Sequence, residues 1–411
     1  MNEKELIESG NMKMEWARNH MPVLEIIRKQ FIEEQPLKGH TVSMALHVEA
    51  KTAVLVETLA AGGAKVAISG CNPLSTQDDV AWALDTRKNV SCFAKYGCNN
   101  QEYYEAIDAV LDFEPDITID DGADLIFKLH KERTDLLSNI LGGCEETTTG
   151  VHRLHAMDKE GALKMPVIAV NDAMTKYLFD NRYGTGQSAW DGINRTTNLL
   201  VAGKNVVVAG YGWCGRGVAL RAAGLGANVL VTEVDPVRAL EARMDGYRVM
   251  PMREAAKLGD IFVTATGNRD ILGEDDFKVM RDGAILANSG HFNVEIDMEA
   301  LEALAKSVRT VRHNIKEYEL GNRRINVIAD GRLVNLAAGD GHPAEVMDMS
   351  FANQALCVRY IAENKLNNGV HKVPLELDTS VAKLKLESMG ISIDELTNEQ
   401  ERYMTGWEFG T

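Results

Sequence analysis

Polar and ionisable side chains recur in the first half of the chain at the points where expected β-strands end. Five strand ends carry such side chains: His47; Asn72 and Ser75; Asp120 and Asp121; Glu145 and Glu146; Asn171 and Asp172. Ligands of open α/β sheets bind beyond the carboxyl ends of the strands, so we expect these side chains to meet in one site. A single Asp or Asn at such a place commonly caps a helix. Five ends that carry His, Asp, Glu and Asn instead favour a site built for proton transfer and substrate binding.

A lysine follows this series in an apolar setting. Lys176 lies four residues before Asp180, so the two side chains share a face if the segment is helical. At a protein surface such a pair would be ordinary, but the residues between them include Tyr177, Leu178 and Phe179, which favours burial. Because burial disfavours the charged form of lysine, we expect a lowered pKa that lets Lys176 act as a base.

A glycine motif opens the second half of the chain. The expected strand 205–209 runs into Gly210, Gly212 and Gly215 with the spacing G-x-G-x-x-G, and a helix pattern and a second strand follow. In this context the glycines permit a tight turn, close approach of a pyrophosphate and close helix packing, while the helix N-terminus attracts phosphates. Glu233 ends the second strand and is expected to accept a hydrogen bond from a ribose 2′-OH. A carboxylate there repels a 2′-phosphate, so the pattern favours NAD over NADP.

Two later strands also end in small and polar residues. They run into Ala265-Thr-Gly-Asn268 and Asn288-Ser-Gly-His291. Small residues at these ends leave room for a cofactor, so we expect Asn268 and His291 beside it. The alternative for His291 is a capping role at a helix end.

Short β-rich runs alternate with helical patterns along almost the whole chain, which predicts an α/β fold. The expected strands are 41–46, 65–69, 90–94, 116–119, 138–141, 166–170, 205–209, 228–232, 260–264, 284–287 and 324–328. The expected helices include 189–202, 218–225 and 345–365. We predict two doubly wound parallel-sheet domains: a discontinuous substrate domain (1–182 and 341–385) and an inserted Rossmann NAD domain (183–340).

The composition excludes several classes of protein. The chain has 411 residues, of which 44 are Lys or Arg and 60 are Asp or Glu, for a net charge of −16. Such a chain repels phosphate backbones and anionic lipid, so we expect neither nucleic-acid nor membrane partners. There is no apolar run of about 18 residues, no signal-peptide pattern and no CxxC pair, which predicts a reduced, cytoplasmic protein. His152 and His155 lack an obvious third ligand, so no metal is expected.

Eight stretches resemble the S-adenosylhomocysteine hydrolase family, and they extend over nearly the whole chain. They are LHVEAKTAVLVETL (46–59), CNPLSTQDD (71–79), IDDGADL (119–125), EETTTGVHRL (145–154), NDAMTKYLFDNRYG (171–184), VVVAGYGWCGRG (206–217), GHFNVEID (290–297) and RLVNLAAGDGHPAEVMDMSF (332–351). The resemblance implies NAD-dependent cleavage of a nucleosyl-homocysteine thioether by transient oxidation of its ribose. The cofactor would then be recycled within each turnover and held tightly.

The resemblance also implies a role for each matching residue on the cofactor side. Glu146 would hold the ribose hydroxyls, and Lys176, oriented by Asp180, would help to deprotonate the 3′-OH as its hydride leaves to NAD. The residues implied to contact NAD are Thr147, Thr148, Thr149, Asn181, Glu233 and Asn335.

The remaining roles concern the bond that is cut. Asp121 would abstract the C4′ proton, which a 3′-ketone makes acidic by stabilising the carbanion. His47 would assist loss of homocysteine at C5′ and addition of water. His291 and His342 would line the site and its closing hinge.

One departure from the family lies after His47. The common H-x-T-x-E presents Thr and Glu to adenine, whereas this chain has Glu49 and Lys51 at those positions. Lys51 only donates, which suits O6 of hypoxanthine, and Glu49 only accepts, which suits N1–H. The pattern therefore favours S-inosylhomocysteine over S-adenosylhomocysteine. The alternatives are that Glu49 and Lys51 pair with each other at the rim, or that Glu49 accepts from N6 of adenine.

A second departure lies at the C-terminus. Larger members of the family carry a further tail whose Lys and Tyr reach the NAD of a neighbouring protomer, and this sequence stops without it. Residues 386–411 carry apolar and aromatic side chains among acids and cannot form a core alone. We therefore expect this tail to pack on another domain or on another protomer of a homo-oligomer, a tetramer or a dimer, although a frayed terminus is the alternative.

Two other functions fit parts of the pattern. An ordinary NAD dehydrogenase that releases NADH in each cycle would not need Asp121 and His47 beside Lys176. A non-catalytic nucleotide sensor on the same fold would be expected to lack a key acid or base, and all of them are present here.

Overall fold

The computed structural model describes residues 2–407, and within them the strands form two sheets. The strands of the first sheet are β1 Thr41–Ala45, β2 Lys65–Ser69, β3 Val90–Cys92, β4 Ile117–Asp120, β5 Gly142–Glu145, β6 Pro166–Ala169 and β15 Gly369–Lys372. Those of the second are β7 Asn205–Ala209, β8 Asn228–Thr232, β9 Arg248–Val249, β10 Ile261–Thr264, β11 Ala284–Asn288, β12 Ser307–Arg312, β13 Ile315–Leu320 and β14 Arg323–Ile328.

Helices cover both faces of each sheet. In the first half they are α1 Glu3–Asn19, α2 Pro22–Glu34, α3 Ala50–Ala61, α4 Asp78–Asp85, α5 Asn100–Leu111, α6 Asp124–Lys131, α7 Thr148–Lys159, α8 Met174–Lys176 and α9 Thr185–Thr197. In the second half they are α10 Trp213–Gly224, α11 Pro236–Met244, α12 Met252–Ala255, α13 Glu274–Phe277, α14 Met298–Leu304, α15 Val334–Ala337, α16 Ala344–Glu363, α17 Leu375–Ser388 and α18 Asn398–Thr405.

The first sheet is parallel throughout and runs in the order β3-β2-β1-β4-β5-β6-β15. The chain leaves this sheet after β6, builds the second sheet, and returns through α16 to add β15 beside β6. The first unit is therefore discontinuous and the second is inserted into it, as predicted. The domain boundaries at 182, 340 and 385 stay a prediction.

The second sheet is mixed rather than wholly parallel. Its parallel part, β9-β8-β7-β10-β11-β14, repeats the doubly wound order of the first sheet. The hairpin strands β12 and β13 then extend it antiparallel at one edge. Neither strand was predicted from the sequence. The residues of β12 are exposed and lack the apolar alternation of a core strand.

One expected strand was wrong. Residues 137–139 form a short 3-10 turn, and the strand that was expected at 138–141 instead spans Gly142–Glu145. In the sequence, Gly142 and Gly143 suggested a turn. Both lie within the strand instead, where neighbouring side chains approach too closely to leave room for a Cβ atom. A Cβ on Gly143 would come 2.4 Å from the Thr118 hydroxyl, and one on Gly142 would come 3.0 Å from Ile361. The shift carries Glu145 into the sheet and places Glu146 at its edge.

The segment around Lys176 is helical but not regularly α-helical. A single turn of α-helix, α8, passes into a π-helical stretch, Tyr177–Gly184. The π geometry brings residues five apart onto one side, so Lys176 can face Asn181 as well as Asp180. This wider turn joins the two units directly before α9.

The C-terminal tail is exposed along the part that the structure describes. Residues 389–407 carry α18 and lie away from both cores, and the last four residues of the expected tail fall outside the described residues. Within 2–407, no helix combines the length and apolar character that crossing a membrane requires.

Candidate active site

The strand ends of both sheets open onto one cavity of about 1050 Å³. Pockets for a single small ligand measure roughly 300–1,000 Å³, so this cavity has room for more than one. His47, Asp121 and Glu146 reach it from β1, β4 and β5 of the first sheet. Gly210 and Glu233 reach it from β7 and β8 of the second.

A carboxylate between two imidazoles forms the floor of the cavity. Asp121 Oδ2 lies 3.4 Å from His47 Nε2, and its Oδ1 lies 3.6 Å from His291 Nδ1. Oδ1 is buried and has no hydrogen-bond partner, so it is free to accept a proton from a ligand. The spacing of the three side chains could also hold a metal ion. The expectation that no metal is required stays a prediction.

His47 is held from behind. Its Nδ1 lies 2.7 Å from Ser75 Oγ, and burial lowers its pKa below the usual 6.5 although Asp121 opposes that shift. His47 is therefore a neutral base at neutral pH. Ser75 and Asn72 were expected to bind substrate, but neither lines the large cavity. Ser75 instead supports His47, and Asn72 lines a separate cavity of about 280 Å³ and caps its own turn at Leu74.

Glu146 is the carboxylate at the end of β5. Its Oε1 accepts from Ser350 Oγ at 2.5 Å and its Oε2 from Gln354 Nε2 at 2.6 Å. Burial raises the pKa of Glu146 above its usual range, against the opposing charge of Lys176. Ser350 and Gln354, which lie one turn apart on α16, were not predicted from the sequence. The available signal was a pair of polar residues on an otherwise apolar helix face.

Lys176 is buried among three acceptors. Its Nζ donates to Asn181 Oδ1 at 2.8 Å and to Asp180 Oδ1 at 3.2 Å, and lies 3.5 Å from Glu146 Oε1. The expected lowering of its pKa was wrong. Burial does lower the pKa, but Asp180 and then Glu146 outweigh it, so the pKa of Lys176 lies above its usual range. The lysine is a fixed cation in this structure.

Asp180 joins Lys176 to His342. The His342 Nδ1 lies 3.2 Å from Asp180 Oδ1, and its Nε2 lies 3.3 Å from Thr185 Oγ1. Burial would raise the pKa of Asp180, but Lys176 and His342 together hold it well below its usual range. Asp180 is therefore a permanent anion that fixes both neighbours. Through Asp180 and Thr185, His342 contacts residues on both sides of the junction between the two units, and its place in a closing hinge stays a prediction.

The glycine motif has the geometry that a dinucleotide requires. Gly210 has φ +93°, and a Cβ on Gly215 would lie 1.9 Å from the Gly210 carbonyl oxygen. A Cβ on Gly212 would meet only an Arg238 nitrogen, at 3.7 Å, so that position faces open space. Gly210 and Gly212 line the cavity, and Gly215 supports the turn from behind.

Glu233 and Asn335 also line the cavity. Glu233 Oε2 accepts from the Tyr211 amide at 2.7 Å, which fixes the carboxylate beside the glycine turn. Asn335 Oδ1 is buried without a partner. An orphaned acceptor and an immobilised carboxylate fit the hydrogen-bond donors of a nicotinamide dinucleotide.

The first unit contributes a second cofactor-facing turn. Thr147 caps α7, since its Oγ1 accepts from the Gly150 amide at 3.1 Å, and Thr147, Thr148 and Thr149 all line the cavity. Asn181 also lines it and donates to Asn171 Oδ1 at 3.0 Å. The N-terminus of α7 therefore faces the cavity with three hydroxyl side chains.

A buried glutamate that the sequence analysis missed fixes the remaining loops. Glu295 accepts from the Thr266 amide and hydroxyl and from the Gly267 amide, at 2.8 to 3.0 Å. These bonds hold the turn that presents Asn268 to the cavity. Its carboxylate also lies so close to Gly290 that a Cβ there would come within 1.8 Å of it. Glu295 thus ties the Asn268 turn to the loop that carries His291.

Glu49 and Lys51, at the start of α3, also line the cavity. Lys51 Nζ lies 2.7 Å from Glu49 Oε2 and donates to the Asp340 carbonyl at 2.7 Å. Glu49 also caps α3 through the amides of Lys51 and Thr52. The two side chains therefore pair with each other in this structure, which is one of the alternatives considered from the sequence.

Comparison with known proteins adds independent findings. Residues 1–136 match the family model S-adenosyl-L-homocysteine hydrolase, and residues 181–341 match S-adenosyl-L-homocysteine hydrolase, NAD binding domain. An S-inosyl-L-homocysteine hydrolase from Methanosarcina mazei is 85% identical over 100% of both chains. An adenosylhomocysteinase from Archaeoglobus fulgidus is 65% identical over 98% of this chain and 100% of its own.

A solved structure extends the likeness to the fold. A dipicolinate synthase chain from Bacillus halodurans superposes with a TM-score of 0.52 at 13% identity, over 80% of this chain and 100% of that one. At this identity the likeness concerns the fold alone. The family models and the full-length relatives confirm the resemblance drawn from the sequence. The chain belongs to the S-adenosyl-L-homocysteine hydrolase family and is an enzyme that contains the family's NAD-binding domain.

Proposed function

We propose that the enzyme hydrolyses S-inosyl-L-homocysteine to inosine and homocysteine by reversible oxidation of the ribose at C3′. The observation that carries the proposal is the meeting of two reactive clusters in one cavity. Lys176 with Glu146 and Asp180 forms one cluster, and Asp121 between His47 and His291 forms the other. The glycine turn opens onto the same cavity. Oxidation and proton abstraction at adjacent carbons require such an arrangement.

The first cluster suits the 3′ hydroxyl. NAD, when bound, takes a hydride from C3′ and later returns it. Because Lys176 is already protonated, it holds the 3′ oxygen by donating a hydrogen bond, and a carboxylate must receive the hydroxyl proton. The pKa of Asp180 is lowered, whereas burial raises the pKa of Glu146, so Glu146 is the better acceptor. This assignment revises the sequence-based role of Lys176 as the base.

The second cluster suits C4′ and C5′. The 3′-ketone acidifies the C4′ hydrogen, and Asp121 accepts that proton. The C5′–S bond then breaks as a C4′–C5′ double bond forms, and homocysteine leaves C5′ as its thiolate. As water adds at C5′, the neutral imidazole of His47 accepts its proton and passes it to the thiolate, and Asp121 reprotonates C4′. After hydride return at C3′, the net change is the addition of one water.

The preference for hypoxanthine over adenine as the nucleobase depends on Glu49 and Lys51. Hypoxanthine would replace their mutual contact with two bonds, from Lys51 to O6 and from N1–H to Glu49. The relative that is 85% identical is named for the inosyl substrate, which supports this choice. S-adenosylhomocysteine is the second candidate, because the 65% identical relative is named adenosylhomocysteinase and Glu49 could accept from N6.

The proposal extends to assembly and location. Exposed apolar side chains along the tail, among them Met389, Ile393, Met404 and Trp407, support its packing on another copy of the chain in a dimer or tetramer. Mass measurement in solution, with a variant truncated before residue 389, tests this. Free cysteines throughout the described residues support a reducing, cytoplasmic location.

A side-by-side assay tests the proposed substrate. Purified enzyme is mixed separately with S-inosyl- and S-adenosyl-homocysteine, and free thiol and net NADH are both followed. We expect thiol release without net NADH, with a higher kcat/KM for the inosyl compound. Net NADH production would overturn the hydrolase in favour of a dehydrogenase. A kcat/KM at least tenfold higher for the adenosyl compound would overturn only the assignment of hypoxanthine as the preferred nucleobase.

A further inference from the structure

Glu145 is a buried carboxyl group that the proposed reaction does not use. It is the last residue of β5, directly before Glu146, and its side chain has no exposed surface. It does not line the large cavity. The residues that it contacts are nevertheless part of the cavity lining or adjacent to it: Thr147 lines the cavity, and Gly122 follows Asp121, which also lines it.

One carboxyl oxygen of Glu145 accepts three hydrogen bonds. Its Oε1 accepts from the Gly122 amide at 2.8 Å, the Thr147 amide at 2.9 Å and the Thr147 hydroxyl at 2.8 Å. Gly122 follows Asp121, the proposed acceptor of the C4′ proton. Thr147 begins the turn of three threonines that lines the cavity and is predicted to contact the cofactor. A single atom therefore joins the proton-accepting loop to the cofactor turn.

The loop that carries Asp121 is also constrained by its backbone conformation and by its contacts with Arg153 and His291. Gly122 and Ala123 have φ +104° and +67°, a conformation that needs external support in Ala123. The Gly122 carbonyl accepts from Arg153, and a Cβ on Gly122 would lie 2.5 Å from His291 Nε2. Displacing the Gly122 amide from Glu145 would therefore move Asp121 relative to His291.

The environment of the second carboxyl oxygen of Glu145 disfavours the ionised form of this side chain. Oε2 is buried without a hydrogen-bond partner in the described structure. Burial, and then the nearby carboxyls of Asp120 and Asp121, raise the pKa of Glu145 well above its usual range. A protonated Glu145 would keep Oε1 as the acceptor of the three donors and would add no negative charge beside Asp121.

We propose that Glu145 is a positioning residue that couples the cofactor turn to the C4′ proton acceptor, by fixing Thr147 and Gly122 on one oxygen. This inference rests on the proposed function. Glu145 acts through hydrogen-bond geometry rather than charge, so glutamine is expected to replace it. Alanine removes the acceptor and leaves two amides and one hydroxyl without their partner.

The test separates the two half-reactions in holoenzyme reconstituted at saturating NAD. We expect Glu145→Ala to form bound NADH from S-inosylhomocysteine within about tenfold of the wild-type rate, because the Lys176 cluster is untouched. C4′–H exchange with solvent deuterium and thiol release should fall about 100-fold or more, toward the range of a lost general base. Glu145→Gln should restore both to within about threefold. Glu160→Ala, on the exposed end of α7, is the matched control.

A second variant perturbs the same contact without removing the carboxyl group. A Cβ on Gly150 would lie 2.1 Å from the Glu145 carboxyl carbon, so Gly150→Ala must displace that side chain. It should reproduce the loss of C4′ exchange with oxidation retained. Equal losses of oxidation and exchange in folded Glu145→Ala, or failure of Glu145→Gln to restore exchange, would overturn the proposal.

The same experiment distinguishes this inference from the proposed function. Wild-type enzyme that releases no thiol from either nucleosyl-homocysteine overturns both. Active wild-type enzyme with unimpaired exchange in Glu145→Ala and Gly150→Ala overturns the positioning role alone.

Discussion

Replacing Asp121 by Asn should divide the reaction into its oxidative and eliminating halves. The amide has the shape of the carboxylate but cannot accept the C4′ proton. A positioned general base contributes about 10²–10⁴-fold, which corresponds to roughly 3–5 kcal/mol of barrier. Few bonds are lost with the charge, because the contacts to His47 and His291 are 3.4 and 3.6 Å long and Oδ1 has no partner. The effect should therefore appear in kinetics rather than in folding.

Rapid mixing of Asp121→Asn holoenzyme with S-inosylhomocysteine should show bound NADH accumulating while thiol release falls by about 10²–10⁴-fold. The acid limb of any residual activity should also move to lower pH, because Asp121 raises the pKa of His47 and its removal lowers that pKa further. Asp135→Asn, an exposed carboxyl, serves as the control. Thiol release within about tenfold of wild type would refute the role of Asp121 as the base.

Further predictions concern the cofactor, the base pocket and pH. The purified protein should carry NAD, measured after denaturation; clean apo protein with only weak NAD binding would count against this. Gly215→Ala should cost about 1–3 kcal/mol and lower the NAD content, because its Cβ would lie 1.9 Å from the Gly210 carbonyl oxygen. Gly224→Ala, in the same helix with no atom within 4 Å of its Cβ, should do neither. Lys51→Met should lower the inosyl-to-adenosyl ratio of kcat/KM about 10- to 100-fold, since hydrogen bonds to charged groups contribute about 1.5–3 kcal/mol; an unchanged ratio would exclude Lys51 from base recognition. Because burial lowers the pKa of His47, kcat/KM should persist as the pH falls below 6.5 and decline only through the lowered pKa, and a decline centred above 6.5 would contradict this.

The sequence predicted the parts of the fold and site that depend on local pattern. β2, β7 and β8 have the expected bounds, because each is an apolar run closed by turn residues. The strand-end residues His47, Asp121 and Glu146 converge because parallel strands end at one edge of a sheet. The glycine motif predicted the cofactor turn for the same local reason.

Non-local partners explain the errors. The pKa of Lys176 could not be predicted from burial alone, because Asp180 and then Glu146 outweigh the effect of burial, and Glu146 is 30 residues away in sequence. The strand containing Gly142 and Gly143 was misplaced because tertiary packing, rather than local conformational preference, requires glycine there. Asn72 and Ser75 follow a strand end but do not line the cavity, so their predicted contact with substrate stays a prediction.

The same reason accounts for the residues that were missed. Ser350 and Gln354 reach Glu146 from α16, about 200 residues later in the chain. Glu295 fixes its loops through backbone amides, which carry no residue-specific pattern in a sequence. Supporting residues of this kind become visible only once the chain is folded.

In the proposed mechanism, oxidation at C3′ is transient and the hydride returns to the carbon that it left. S-inosylhomocysteine that carries deuterium at C3′ tests this most directly when it is converted completely in ordinary water. We expect inosine that retains deuterium at C3′, and a parallel reaction of unlabelled substrate in deuterium oxide should give inosine labelled at C4′. Loss of the C3′ label, or product without C4′ exchange, would contradict this mechanism.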